Sequence, residues 1–180
     1  MNGYKNRFQK GSRRLQGYDY SNEGVYFVTI CTHERQHFFG TIENNKMTLS
    51  HAGKIIYDNW LNTPAIRKSM DIQLDEYQVM PNHFHALIII GNPMLPSKDK
   101  RLPSTNSVPN KFAPQYQNLS SIIRGFKAAC TTQIHGLGMD EFKWQSRFHD
   151  HIVRDQESWE TIRNYIIDNP RRWKEDKFYS

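Results

Sequence analysis

With 180 residues, 37% of them hydrophobic, and a net charge of +6, the chain is read as a single domain, 1–180, with a sizeable core and a basic surface. The charge favours a polyanionic partner, nucleic acid ahead of membrane, and no run approaches the roughly 18–20 apolar residues of a membrane span. Cys31 and Cys130 lie far apart and outside any Cys-x-x-Cys pair, which argues against structural zinc and a disulfide scaffold and, with a polar start, for a cytoplasmic protein.

Residues 1–22 form a basic arm in which Arg13 and Arg14 are candidate phosphate contacts. Val25 to Thr32 is dense in β-formers and predicts a buried strand. Phe38 to Ser50 predicts a hairpin turning at Glu43-Asn44-Asn45-Lys46. Ile55, Ile56, Trp60 and Leu61 follow helical spacing, so a helix is expected from Ala52 to about Arg67, capped by Ser50 and strained by Pro64. Ile72 to Met80 predicts a strand, and Met80-Pro81-Asn82 turns it into an antiparallel neighbour beginning His83-Phe84-His85 and continuing Ala86-Leu87-Ile88-Ile89-Ile90.

Residues 91–118 hold five prolines among Ser, Asn and Lys and read as a flexible insertion. A helix is expected from Leu119 to about Ile134, with Arg124 and Lys127 off its apolar face as candidate DNA contacts. The segment from Lys143 to Arg154 is a loop running into a strand, and it carries Trp144, Arg147, His149, His151 and Arg154. Asp155 caps a last helix to about Asp168, striped by Trp159, Ile162, Tyr165 and Ile166 and ended by Asn169-Pro170. The tail, 170–180, is basic and aromatic, with Arg171 and Arg172 at its start. This order predicts an α+β sandwich of the ferredoxin-like (RRM-like) kind, a central antiparallel sheet with two main helices on one face.

The chemistry centres on His83 and His85. Side chains alternate along a strand, so both imidazoles share a face while Phe84 points away. Two such rings are two legs of a metal site; a satisfied core histidine beside an exposed one is the equally weighted alternative. Tyr165 and Asn169, four apart, share a helix face and supply a nucleophile and an amide oxygen. Tyr165 also fits the apolar stripe and Asn169 fits a plain helix end. Trp144 and Arg147 suit base stacking and phosphate contact, as do Arg154, Arg171 and Arg172, with Trp144 equally readable as a core anchor. His151 is read as a structural or DNA-contacting residue.

The ordered set of Tyr18-Asp19-Tyr20, Tyr26-Phe27-Val28-Thr29-Ile30-Cys31-Thr32, Met80-Pro81-Asn82-His83-Phe84-His85, Gly125-Phe126-Lys127, Trp144-Gln145, His151-Ile152-Val153-Arg154 and Tyr165-Ile166-Ile167-Asp168-Asn169-Pro170 resembles the REP-associated tyrosine transposases. These are a branch of the single-tyrosine HUH transposases. Trp173 and Asp176 also sit where that family often has them. The resemblance implies a ferredoxin-like fold and cleavage and rejoining of single-stranded DNA at REP-like hairpins. It implies His83 and His85 as ligands of a divalent metal, Mg2+ or Mn2+, and Tyr165 as nucleophile. Asn169 stands where related insertion-sequence enzymes carry a glutamine ligand, one methylene longer. It implies a monomer rather than a dimer. Two alternatives remain: a domesticated DNA-binding module without chemistry, and a metal phosphodiesterase that uses water.

Overall fold

A computed structural model describes residues 23–94 and 117–180; the basic arm with Arg13 and Arg14, and most of the proline-rich insertion, lie outside them. The elements run β1 (Gly24–Cys31), β2 (Gly40–Glu43), β3 (Lys46–Leu49), α1 (His51–Leu61), α2 (Thr63–Ile66), β4 (Ile72–Met80), β5 (His83–Ile90), α3 (Leu119–His135), β6 (His149–Val153) and α4 (Gln156–Asp168). The main sheet has the order β4-β5-β1-β6, all antiparallel, and β2-β3 forms a separate hairpin. Setting that hairpin aside, the succession β1-α1-β4-β5-α3-β6 with this strand order is the ferredoxin-like arrangement expected from the sequence.

The sheet separates two apolar layers by the period of two. Tyr26, Val28 and Ile30 of β1 and Phe84, Ala86, Ile88 and Ile90 of β5 face α1 and α3, where Ile56, Trp60, Ile122, Ile123 and Phe126 complete the main core. Val25 and Leu87 face the other way and meet Val153 and Ile166, with Phe27, Ile89, Trp159 and Ile162 packed around them. So α1 and α3 cover one face, and α4 crosses the face that carries His83 and His85.

Phe84 ties β5 to both α1 and α3. It is fully buried and packs edge-on to Trp60, ring centroids 5.1 Å apart, and against Phe126 at 5.6 Å. Phe84→Ala is expected to cost about 3–5 kcal/mol, the range for aromatic truncation in a close-packed core. A denaturant titration checks it; a loss below about 1 kcal/mol would mean the ring does not anchor the strand.

The expected helix over 52–67 is two helices. Pro64 lacks the N–H that would continue α1 and its ring crowds the preceding turn, so α1 stops at Leu61. Pro64 instead sits in the first turn of α2, where a missing N–H costs nothing. The cap at Ser50 forms as expected, its Oγ accepting from Gly53 N at 3.0 Å. Gly53 is required by close approach, since a Cβ there would run into the Phe39 carbonyl oxygen. The hairpin turn uses Asn44 and Asn45 with φ of 50° and 61°, left-handed values that asparagine tolerates.

Candidate metal and nucleophile site

The histidines open β5, where the Pro81-Asn82 turn delivers them to the sheet. Their backbones pair with β1 in the register Cys31–His83 and Thr29–His85. Both side chains are fully buried. Each ring is held through Nδ1: His83 by Asn82 Oδ1 at 2.8 Å, and His85 by Thr29 Oγ1 at 2.8 Å. Asn82 donates its Nδ2 to the carbonyls of Phe178 at 2.9 Å and Arg35 at 3.2 Å. Its Oδ1 is therefore the acceptor, His83 carries its proton on Nδ1, and the Nε2 lone pair is left bare.

The two Nε2 atoms converge at 3.0 Å. Facing lone pairs at that distance repel unless a proton or cation lies between them. Burial pushes the His83 imidazolium down to about 3, helped by the nearby charges of Lys177, Arg35 and His37. Burial and then His83 itself hold His85 well below its ordinary value. Both rings are thus neutral, the form that ligates metal.

Asp176 is the third member. Its Oδ1 accepts from Phe178 N at 2.7 Å, while Oδ2 faces the histidines, 4.0 Å from His83 Nε2. His83, His85 and Asp176 each offer one ligand atom, all within 4.8 Å of one another, so the cluster could hold a metal ion. A second observation fits the same reading: Asn169 is 3% exposed and its Oδ1 is buried with no hydrogen-bond partner. An unpaired buried amide oxygen costs about 1–3 kcal/mol unless something satisfies it.

Tyr165 comes from α4. Its hydroxyl lies 3.3 Å from His85 Nε2 and donates to Asp176 Oδ2 at 3.4 Å. The ring stands edge-on to Phe27, centroids 6.1 Å apart, and remains 37% exposed. It is not the stripe residue that packing alone would make it: Ile166 is the fully buried one. Partial burial raises the phenol to about 12, the Asp176 carboxylate adding to the rise while the nearby Asn169 side chain and the Arg172 charge oppose it. The histidines are covered on one side by Trp173 and Phe178, whose rings lie 5.9 and 4.7 Å from His83. On the Tyr165 side a groove of about 530 Å³ opens, lined among others by Asn164, Tyr165, Asn169, Arg172 and Asp176.

The other candidates scatter. Arg124 is exposed on α3, behind the sheet. Lys127 is turned inward, its Nζ donating to the Gln145 carbonyl. Trp144 anchors the core edge, packed on Phe39 and Phe142 with Nε1 donating to the Lys127 carbonyl at 3.2 Å. Arg147 and Arg154 are exposed at either end of β6, and exposed His151 borders a shallow second cavity with Asp155 and Thr161. Arg171 and Arg172 each face a carboxylate, Asp168 at 3.7 Å and Glu175 at 3.1 Å, and only Arg172 lines the groove beside Tyr165. From the sequence, Asp176 stands out only as a position that the resembled family often shares. Its role was hidden because the tail that carries it has no periodicity, and its approach to the histidines depends on Asn82 and Arg35 gripping the residues around it: the Arg35 guanidinium donates to the Lys177 carbonyl at 2.8 Å.

The fold is similar to that of a solved REP-associated tyrosine transposase bound to a REP hairpin: TM-score 0.55, 18% identity, 94% of this chain and 77% of that one covered. No protein-family model matches the chain. It belongs to the same family as an uncharacterized protein of Haemophilus influenzae (strain Rd), to which it is 34% identical over 173 residues, 93% of this chain and 92% of that protein. No helix among the described residues is long and apolar enough to cross a membrane.

Proposed function

We propose that the protein is a metal-dependent, single-tyrosine DNA strand transferase acting on single strands that carry REP-like hairpins. The observation that carries this reading is the Tyr165 hydroxyl standing 3.3 Å from His85 Nε2, inside the His83–His85–Asp176 cluster. His83, His85 and Asp176, with the unpaired oxygen of Asn169, would hold a divalent cation, Mn2+ or Mg2+. Imidazole donors favour Mn2+ of the two. When bound, the ion would act as a Lewis acid on a phosphodiester oxygen.

The residues do the rest. Tyr165 Oη attacks phosphorus, the bond from phosphorus to the 3′ oxygen breaks, and the products are a 5′-phosphotyrosine and a free 3′-hydroxyl. The tyrosine proton, already directed at Asp176, leaves through the groove to solvent, and the 3′ oxygen takes one from solvent. Asn82 keeps His83 in the ligating tautomer, and Thr29 holds the orientation of the His85 ring. Arg172, at the groove wall, suits a backbone phosphate. The hairpin partner rests on the bound REP hairpin of the solved transposase. A monomer is proposed, since tyrosine and histidines meet within one chain.

The test is incubation of a hairpin-bearing single strand with Mn2+ or Mg2+, followed by denaturing electrophoresis. A protein-linked DNA band and a free 3′-hydroxyl are expected. Cleavage without a protein-linked band would favour a water-using phosphodiesterase, and binding without cleavage a DNA-binding module. Asp176→Asn is expected to weaken Mn2+ binding by about 10–100-fold, read by calorimetry; unchanged affinity would remove Asp176 from the ligand set.

A further inference from the structure

β4 contains a bulge whose position matters for the site. Leu74 pairs with Ile88 and Tyr77 with Ala86, so Asp75 and Glu76 together oppose the single residue Leu87. Strict alternation would send one of these two carboxylates to the α1/α3 face. Because Leu74 and Tyr77 both pack with the main core, the extra residue leaves both carboxylates beside Leu87, on the face of α4.

There they meet two side chains of α4. Arg163 Nε lies 3.1 Å from Asp75 Oδ1, and its Nη2 is 3.3 Å from Glu76 Oε2. Trp159 Nε1 donates to Asp75 Oδ2. Asp75 is only 13% exposed, so its two bonds are largely shielded, while Arg163 is 45% exposed. The apolar packing of α4 centres on buried Ile166, with Trp159 and Ile162 only partly buried around it. Arg163 precedes Tyr165 by two residues, so whatever fixes the rotation of α4 here fixes where the tyrosine hydroxyl points.

We infer that Asp75 and Glu76, brought to one face by the β4 bulge, are positioning residues that latch Trp159 and Arg163 and so set Tyr165 against the histidine pair. This rests on Tyr165 being the attacking group. Neither carboxylate touches the reacting atoms. Attack geometry is steep in distance, so a loosened α4 lowers the rate without touching metal or DNA binding.

The experiment compares wild type with the double variant Asp75→Ala/Glu76→Ala and with Trp159→Phe, which removes only one N–H donor. Two measurements are made: hydrogen exchange of the α4 amides, and the rate of protein–DNA adduct formation at saturating hairpin strand and Mn2+. Expected in the double variant is α4 exchange at least about tenfold faster with β1 and β5 exchange unchanged, since local opening free energies differ across a fold. The adduct rate is expected to fall by about 10–100-fold with DNA and Mn2+ affinities unchanged, and Trp159→Phe should fall between. Unchanged α4 exchange overturns the latch, as does faster exchange with a wild-type adduct rate. If the double variant loses β1 and β5 protection too, Trp159→Phe decides on the same criteria. If wild type itself forms no adduct, the nucleophile reading has failed, and exchange alone then supports or overturns the latch on α4.

Discussion

Tyr165→Phe abolishes the protein–DNA adduct while leaving the fold, the metal and DNA binding in place: that is the expected result, and it is the largest single effect. Removal of a nucleophile costs on the order of 10⁶-fold where no other group can substitute. The phenylalanine ring keeps the edge contact to Phe27, and what is lost is two long hydrogen bonds from a hydroxyl at the mouth of a groove. Stability should therefore change by less than about 1 kcal/mol. Adduct formation on a labelled hairpin strand and a thermal melt check both halves. Equal cleavage by the variant would end the nucleophile reading; a large loss of stability would mean that Tyr165 chiefly packs.

His85→Ala is expected to lower activity by on the order of 10³-fold or more, through loss of a metal ligand worth several kcal/mol of charge stabilisation. Mn2+ titration should show weakened binding, and chelation of wild type should produce the same reversible loss. The variant also strands Thr29 Oγ1 in a buried position, at a cost of about 1–3 kcal/mol. If the variant keeps wild-type Mn2+ affinity, the imidazole pair is a structural contact only.

The same pair is expected to make the metal-free protein acid-sensitive. Burial pushes His83 down to about 3 in the folded chain, against an ordinary value of about 6.5 when unfolded, so between those values the unfolded state binds more protons. Stability is full above about pH 6.5 and falls as pH drops toward 3. Bound metal should shift that loss to lower pH, because it occupies the nitrogens the protons need. Acid titrations with and without Mn2+ check it; identical curves would separate the histidines from the metal.

Much of this was legible without coordinates because it is local. The alternation His83-Phe84-His85 ahead of an apolar run told which rings share a face, since strand period depends on nothing else. Asp155 as a cap, with its Oδ1 accepting from Ser158 N at 2.8 Å, and the Asn-rich hairpin turn are likewise decided within a few residues. The break at Pro64 was half legible: proline signalled strain, but only packing shows that the chain restarts as α2 rather than straining one long helix.

What tertiary structure decided lies where distant segments meet. The eighty-residue gap from His85 to Tyr165 closes because β5 lies in the sheet centre and α4 crosses the same face; no spacing in the sequence measures that distance. Trp144 reads from sequence equally as a base-stacking ring and a core anchor, and the structure packs it, partly buried, against Phe39 and Phe142 at the core edge. Lys127 reads from its place off the apolar face as a candidate DNA contact, yet the Gln145 carbonyl takes its ammonium. Asp75 and Glu76 carried no visible link to the histidines, because a bulge that turns two consecutive side chains to one face leaves no periodic trace. Asp176 sits in an aperiodic tail, held by hydrogen bonds from Asn82 and Arg35 to carbonyls of the residues after it. By itself, then, the sequence determined the elements, the strand that bears the imidazoles and the helix that bears the tyrosine, all set by period and capping. Whether those halves meet, and through which carboxylates, was decided by long-range packing, which depends on residues that no local rule connects.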